Sequence, residues 1–288
     1  MKVTPTQQNN IQLALDIRRG KWLVSDAEAL LPIALDILAH IPPKIEAIDF
    51  TPMAYLESGD VMSLENSQSQ KKKCVATIPI CGTLTKYNSC GTIGTTAIAA
   101  ELMRAANDDR VVGIVLDIDS GGGACNAIPV LVDAIHKVQA MGLPIVAHCD
   151  LCASAAYWIA SQCDSIFADN TLSNIGSIGV MTQFVDDTHS SNGERIVSVY
   201  AIESPDKNLS YRKALEGDVS LLQTEMSPIV AEFHAAVKAG RRNLQSDAAG
   251  VLTGAMFRAE NAKNVGLIDN ILTLDATVEN VFARAEFR

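Results

Sequence analysis

The chain has 288 residues, of which 48% are hydrophobic and 19% charged, and its formal net charge is −10. This length and balance are typical of one large globular domain with or without a small appendage. The acidic charge argues against a nucleic-acid partner, because phosphate binding needs clustered lysine and arginine and only positions 71–73 form a lysine run.

The cysteines and the hydropathy pattern indicate where the protein is located and whether it needs a metal or cofactor. The seven cysteines are an odd number without a spaced framework, which indicates reduced thiols in a cytoplasmic protein. Cys149 and Cys152 form a C-x-x-C pair, but no second pair stands at zinc-site spacing, so we predict neither a metal nor a cofactor. The first ten residues lack signal-peptide features, and no stretch reaches the roughly 18 apolar residues of a membrane span. We therefore expect no membrane span.

The first 73 residues are predicted to precede the main domain. Apolar residues that could line helix faces occur over 11–18 and 26–40, so residues 1–50 are interpreted as a helical N-terminal region. Residues 51–73 are rich in polar and turn-forming residues and are predicted to be a polar linker. The main domain is expected to span residues 74–288.

Strand and helix signals alternate from residue 74 onward. The predicted elements are strands at 74–81, 111–118, 144–149 and 165–168, helices at about 95–107, 126–140, 155–161 and 213–240, and a final helix and strand around 259–272. Such alternation predicts an α/β fold with a mostly parallel sheet and flanking helices.

Two segments whose residues could take part in catalysis follow neighbouring strands of this predicted sheet. The glycine turn at 121–123 comes after the strand at 111–118, and Ser154 comes after the strand at 144–149. Taken singly, the glycines could be only a permissive turn and the serine only a helix cap. Carboxyl ends of parallel strands meet at one edge of a sheet, so their joint placement favours a nucleophile beside an oxyanion hole.

A serine nucleophile needs a base. No G-x-S-x-G motif surrounds Ser154, so the hydrolase nucleophile elbow is absent. Among the histidines, only His189 lies in a polar loop where it could serve. A lysine can do the same work when burial lowers its pKa, and Lys207 is the loop candidate.

Five motifs in order along the chain resemble the signal peptide peptidase A (protease IV) family of serine peptidases, and in particular its phage branch, the capsid assembly (prohead) proteases. The motifs are IPICGTL at 78–84, LDIDSGGG at 116–123, ASAAY at 153–157, GSIGV at 176–180 and GLID at 266–269. The resemblance implies a Clp/crotonase-like fold, a Ser/Lys dyad and a homo-oligomeric ring or dome.

The same resemblance assigns roles to particular residues. The implied roles are nucleophile for Ser154, general base for Lys207, oxyanion-hole donors for the backbone N–H groups of Gly122, Gly123 and Ala155, and lysine-orienting hydroxyl for Ser177. The chain departs from the family pattern at Gly121, where proline is usual, and at Pro205, where glycine is usual before the lysine. Lys213, six residues after Lys207, is the alternative base.

These observations predict a serine endopeptidase without a cofactor, acting on a peptide or protein substrate. The phage resemblance favours a phage or prophage capsid assembly protease that cleaves scaffold or capsid proteins, in the host cytoplasm or inside a prohead. A cytoplasmic signal-peptide-peptidase-like protease of general peptides and a catalytically silent assembly protein of the same fold are the alternatives. A crotonase-type acyl-coenzyme A enzyme would share the sheet and the oxyanion glycines but would not need Ser154.

Overall fold

The computed structural model describes residues 50–69, 72–88, 93–182 and 201–287. The predicted helical region at 1–50 therefore lies outside the described residues, apart from its last residue. The strands are β1 (Met53–Leu56), β2 (Val61–Ser63), β3 (Cys74–Cys81), β4 (Val111–Ser120), β5 (Ile145–Ala153), β6 (Ser165–Ala168), β7 (Asn174–Gly176), β8 (Met256–Arg258) and β9 (Asn270–Ile271). The helices are α1 (Thr95–Ala106), α2 (Ile128–Ala140), α3 (Ala155–Ala160), α4 (Leu209–Leu215), α5 (Ser220–Gly240), α6 (Ala259–Asn264) and α7 (Leu274–Glu286).

The strands form one mixed sheet in the order β2-β1-β3-β4-β5-β6-β9. Pairing is parallel from β3 to β9, and β1 pairs antiparallel with both β2 and β3. Helices α1 and α2 follow β3 and β4, as expected for crossover connections between parallel strands. The predicted α/β class, with a mostly parallel sheet and flanking helices, is confirmed.

Strand β5 belongs to two branches of the sheet. Its first half, Val146 to Cys149, pairs with β6, whereas its last residues pair with β7, which in turn pairs antiparallel with β8. The branch point lies just before the carboxyl end of β5. As a result, β7 rather than β6 flanks the residues that directly precede Ser154.

The two faces of the sheet carry separate apolar clusters because side chains alternate along each strand. In β4, Ile114, Leu116 and Ile118 lie in the larger cluster with α1 and α2, and Val115 lies in the smaller one. The smaller cluster is covered by Val278 and other residues of α7. Helices on both faces explain why β3 and β4 are almost continuously apolar.

Two expectations are corrected. Residues 51–73 are not a simple polar linker: β1 and β2 form a hairpin within them, and β1 buries Ala54 and Leu56 beside β3. Strand β1 was not predicted, because its alternating pattern covers only four residues among turn-forming residues. The predicted helix at 213–240 is two helices, because Gly217 interrupts it with a φ of 92°. Helix α7 was missed.

No helix in the described part of the chain is both long enough and apolar enough to cross a membrane.

Candidate active site

Ser154 lies in the sharp turn between β5 and α3. Its φ of 54° and ψ of −123° fall in a region that residues other than glycine rarely adopt. The Ser154 N–H donates a hydrogen bond to the carbonyl oxygen of Gly176 on β7 (2.9 Å), and its own carbonyl accepts from the Trp158 N–H (3.0 Å). The surrounding structure thus holds the serine in a strained backbone conformation, which is common at functional sites.

The predicted glycine turn lies directly beside this serine. A Cβ atom placed on Gly122 would lie 2.9 Å from the Ser154 Cβ and 3.0 Å from the Ala155 nitrogen. A Cβ on Gly123 would lie 2.1 Å from the Leu84 carbonyl oxygen. Only glycine permits these approaches. The turn is anchored to Leu84, whose N–H donates to the Gly122 carbonyl and whose carbonyl accepts from the Ala124 N–H, both at 2.9 Å.

Two backbone N–H groups next to Ser154 have no acceptor among the described residues. Ala155 is the first residue of α3, so its N–H has no partner within the helix. Gly123 pairs with Leu84 in a parallel bridge whose two hydrogen bonds are made by Gly122 and Ala124. The N–H of Gly123 itself therefore faces away from Leu84. By contrast, the Gly122 N–H donates to the Ser120 hydroxyl oxygen at 3.2 Å. The available pair of donors is therefore Gly123 and Ala155.

Ser177 lies next to the same turn. Ala153 and Gly176 are register partners in β5 and β7, so Ser177 occupies the position beside Ser154. Its φ is 52°, and its N–H donates to the carbonyl oxygen of Ala255 at 2.8 Å. Proximity to the nucleophile is consistent with an orienting role, which stays a prediction.

The structure does not bring the predicted base to the serine within the described residues. Lys207 is exposed in the turn that precedes α4, and its N–H donates to the Ser204 carbonyl (3.3 Å). Lys213 on α4 forms an ion pair with Glu216 at 2.8 Å. The hydrogen bond that the Lys213 ammonium donates to Glu216 raises the pKa of Lys213, which favours its protonated form and makes it a poor base. His189 lies outside the described residues.

A small cavity opens beside Ser154. Its volume is about 70 Å³, and its lining residues are Gly123, Cys125, Ile128, Ser154, Ala155, Trp158, Gly179, Val180, Met181 and Phe233. Ser154 and the residues of both available N–H donors therefore line one space, which is partly open to solvent. No group of three or more histidine, cysteine or carboxylate side chains suited to a metal occurs among the described residues.

Two of the sequence motifs meet behind the site. The buried Tyr157 hydroxyl donates to the Leu267 carbonyl oxygen at 2.8 Å, and burial raises the pKa of this tyrosine. Arg241, at the end of α5, forms two hydrogen bonds to the Asp269 carboxylate at 2.8 and 3.0 Å. Sequence analysis missed Arg241, because nothing in its local pattern marks it as the partner of a distant aspartate. These contacts fix α3 and α5 against β6 and β9.

One known peptidase family matches a large part of the chain. The model of peptidase family S49 matches residues 137–288, which is more than half of the chain. The chain belongs to peptidase family S49. The resemblance to the signal peptide peptidase A and protease IV family is thereby confirmed, and the strained serine, Ser154, lies within the matched region.

Individual relatives of this S49 chain are distant. Protease 4 of Salmonella typhi is 29% identical over 202 residues, covering 69% of this chain and 32% of that protein. The head-tail preconnector protein GP5 of Enterobacteria phage P21 is 28% identical over 214 residues, covering 69% of this chain and 40% of GP5. The chain thus spans about a third of the length of the first relative.

Among solved structures, a variant of the 1510-N membrane-bound stomatin-specific protease aligns with a TM-score of 0.47 and 16% identity. The alignment covers 73% of this chain and 82% of that one.

Proposed function

We propose that this S49 chain is a serine endopeptidase with Ser154 as its nucleophile. The observation that carries the proposal is the strained Ser154 beside the unpaired N–H groups of Gly123 and Ala155. A carbonyl oxygen that becomes negatively charged during attack needs two such preorganised donors. A serine serving only as a helix cap would need neither the strain nor the donors.

In the proposed reaction, Lys207 accepts and returns the proton at each step. The neutral amine of Lys207 accepts the proton of the Ser154 hydroxyl while the serine oxygen adds to the substrate carbonyl. The lysine then gives that proton to the departing amine, and an acyl-enzyme remains. Water, deprotonated by the same lysine, hydrolyses the ester and regenerates the serine. Ser177 is proposed to hold the lysine amine in place by a hydrogen bond.

The exposure of Lys207 supports an oligomeric enzyme. A lysine becomes a base near neutral pH when it is removed from water, and in the single chain Lys207 is exposed. The neighbouring α4 and α5 also expose a set of large apolar side chains, as expected of a surface covered by a partner. These side chains are Tyr211, Leu215, Val219 and Leu221. We propose a homo-oligomer, with the dyad formed within one subunit or across two.

The similarity to GP5 supports a role in a phage or prophage. We propose that the substrate is a scaffold or capsid protein, cleaved in the host cytoplasm or inside a prohead. A protease of general peptides, as the name Protease 4 suggests, is the second candidate, supported by a comparable identity. The third is an assembly protein that keeps the fold without turnover.

One experiment separates these candidates. The wild type, Ser154→Ala and Lys207→Ala proteins are each incubated with an Ala/Val/Leu-rich peptide pool and with a co-expressed scaffold protein, and products are identified by mass spectrometry. Cleavage by the wild type alone supports the dyad, and preferential cleavage of scaffold supports the capsid role. A folded wild-type oligomer that neither cleaves any substrate nor reacts with a fluorophosphonate at Ser154 would contradict the proposed enzyme.

A further inference from the structure

A cavity of about 70 Å³ lies directly beside Ser154. Gly123 and Ala155 border it together with the nucleophile. A substrate carbonyl held by these two N–H groups therefore places its own side chain at the cavity. We call this substrate residue the acyl residue, because its carbonyl forms the acyl-enzyme.

One wall of the cavity is a fixed aromatic pair. Trp158 lies one helical turn after Ser154, and its ring stacks on Phe233 of α5 with centroids 4.7 Å apart and planes 11° apart. Phe233 is only 1% exposed and belongs to the main core cluster. A buried, stacked ring has no free space into which to rotate. Phe233 therefore cannot move aside for a larger substrate side chain, whereas Trp158 is half-buried.

A second wall separates this cavity from a larger space. Val180 lines both the cavity beside Ser154 and a groove of about 380 Å³ along α5, where Met226 and Val230 also contribute. Val180 thus lies between the small cavity and the groove. Its removal would join the two volumes.

We propose that Phe233 and Val180 restrict the acyl residue to side chains of about the size of alanine or serine. The inference rests on the proposed peptidase function and adds the substrate class. The volumes support this restriction: an enclosed cavity of about 150 Å³ holds benzene, and the half-open space of about 70 Å³ beside Ser154 matches a methyl or hydroxymethyl group better than a leucine or phenylalanine side chain.

The test uses four internally quenched peptides that differ only in the acyl residue, which is Ala, Val, Leu or Phe. The proteins are the wild type, Val180→Ala, Phe233→Leu and the control Phe167→Leu. Phe167 is a buried ring in the smaller apolar cluster on the other face of the sheet, so its loss tests general destabilisation. The cleaved bond is confirmed by mass spectrometry, and kcat/KM is measured for each pair.

We expect wild-type kcat/KM to fall in the order Ala, Val, Leu, Phe, with Ala at least about tenfold above Leu. Val180→Ala and Phe233→Leu should each raise the ratio of Leu to Ala cleavage by about tenfold, and Phe167→Leu should leave the ratio unchanged. A conservative Phe233→Leu change keeps most of the core volume, and Val180→Ala gives an independent answer if that variant does not fold.

Equal cleavage of the Ala and Leu peptides by the wild type, or variants that change all four rates equally, would overturn the inference. If Ser154 reacts with a fluorophosphonate but none of the peptides is cleaved, the assignment of Ser154 as nucleophile stands and the size restriction is overturned. Failure of both reactions would overturn the proposed peptidase itself, and the restriction with it.

Discussion

The N–H of Ser154 donates a 2.9 Å hydrogen bond to the carbonyl oxygen of Gly176, which joins the turn after β5 to the strand β7. This contact holds Ser154 at a φ of 54° while the flanking residue Ala153 remains in register with Gly176. Ser154 is therefore held by the branch of the sheet on one side and by its own helix, through the Trp158 N–H, on the other. The backbone strain this requires has measurable consequences.

Replacing Ser154 with glycine should give a more stable protein than replacing it with alanine. Both changes remove the hydroxyl, so both should abolish turnover, but only glycine adopts a positive φ without steric cost. The strain of about 1–3 kcal/mol, less the extra unfolded-state freedom of glycine, predicts a difference of about 1 kcal/mol. Urea unfolding of Ser154→Gly and Ser154→Ala measures it. An alanine variant as stable as the glycine variant would show that the turn is unstrained.

The three glycines of the turn should tolerate alanine differently. Gly121→Ala should keep its activity, because a Cβ there meets only the Leu151 Cδ2 atom, 4.0 Å away. Gly122→Ala and Gly123→Ala should lower kcat by about 100-fold or more, because the added Cβ collides with backbone and displaces the oxyanion donor. Steady-state kinetics with circular dichroism as a folding check provides the measurement. Loss of activity in Gly121→Ala alone would argue against this position for the oxyanion hole.

Lys207 and Lys213 should differ in their effect on catalysis. Lys207→Ala should lower kcat by about 100-fold or more, since the proton of Ser154 then has no acceptor. Lys213→Ala should retain activity, because its hydrogen bond to Glu216 raises its pKa and keeps it protonated. Kinetics of the two variants decides the assignment, and the reverse pattern would transfer the role of base to Lys213.

Mixing two inactive variants tests whether the proposed dyad forms within one subunit or across two subunits. The exposure of Lys207 in the single chain leads us to expect that Ser154→Ala and Lys207→Ala subunits, unfolded and refolded together, regain part of the activity. Each mixed contact can then pair an intact serine with an intact lysine from the neighbouring subunit. Refolding each variant alone is the control. Absence of recovery in oligomers shown to be mixed would place both residues of the dyad in one subunit.

The buried thiols should make stability fall at alkaline pH. Burial raises the pKa values of Cys149 and Cys163 well above normal. Above a pH of about 8.5 the unfolded chain loses these protons whereas the folded chain keeps them, so raising the pH favours unfolding. The free energy of unfolding should fall by about 1.4 kcal/mol per pH unit for each thiol. Urea unfolding under reducing conditions between pH 8 and 10 measures the slope.

Cys163→Ala provides the control for this pH dependence. The substitution removes one of the two thiols. The free energy of unfolding of the variant should therefore fall less steeply with pH than that of the wild type, and the difference in slope should equal the contribution of one thiol. A variant with an unchanged slope would mean that other groups cause the alkaline loss of stability.

Much of the fold follows from local sequence patterns. Strand β3 begins and ends where the apolar run at 74–81 predicted, and β4 and β6 agree closely with their predicted ranges. These strands are buried on both faces, so each is a continuous apolar run that turn residues delimit. The hairpin at β1 and β2 was not recognised, because strands of three or four residues among turn residues carry too short a pattern.

Ser154 and the glycine turn were also accessible from the sequence, because each directly follows a strong strand signal, and Ser154 lies within the region that matches family S49. The size of the cavity was not accessible. Phe233 lies on a helix almost eighty residues after Ser154, and only the packing of α5 against α3 stacks it on Trp158.

The sequence by itself thus determined the order of elements, the S49 motifs and the residue types available for acyl chemistry, since these depend on short-range periodicity and spacing. Only the tertiary structure decided that the N–H groups of Gly123 and Ala155, unlike that of Gly122, have no acceptor within the described part of the chain, and that the Arg241 and Asp269 side chains meet. Such choices depend on which distant backbone and side-chain groups already hold a hydrogen bond, and that is settled only when separate segments pack together.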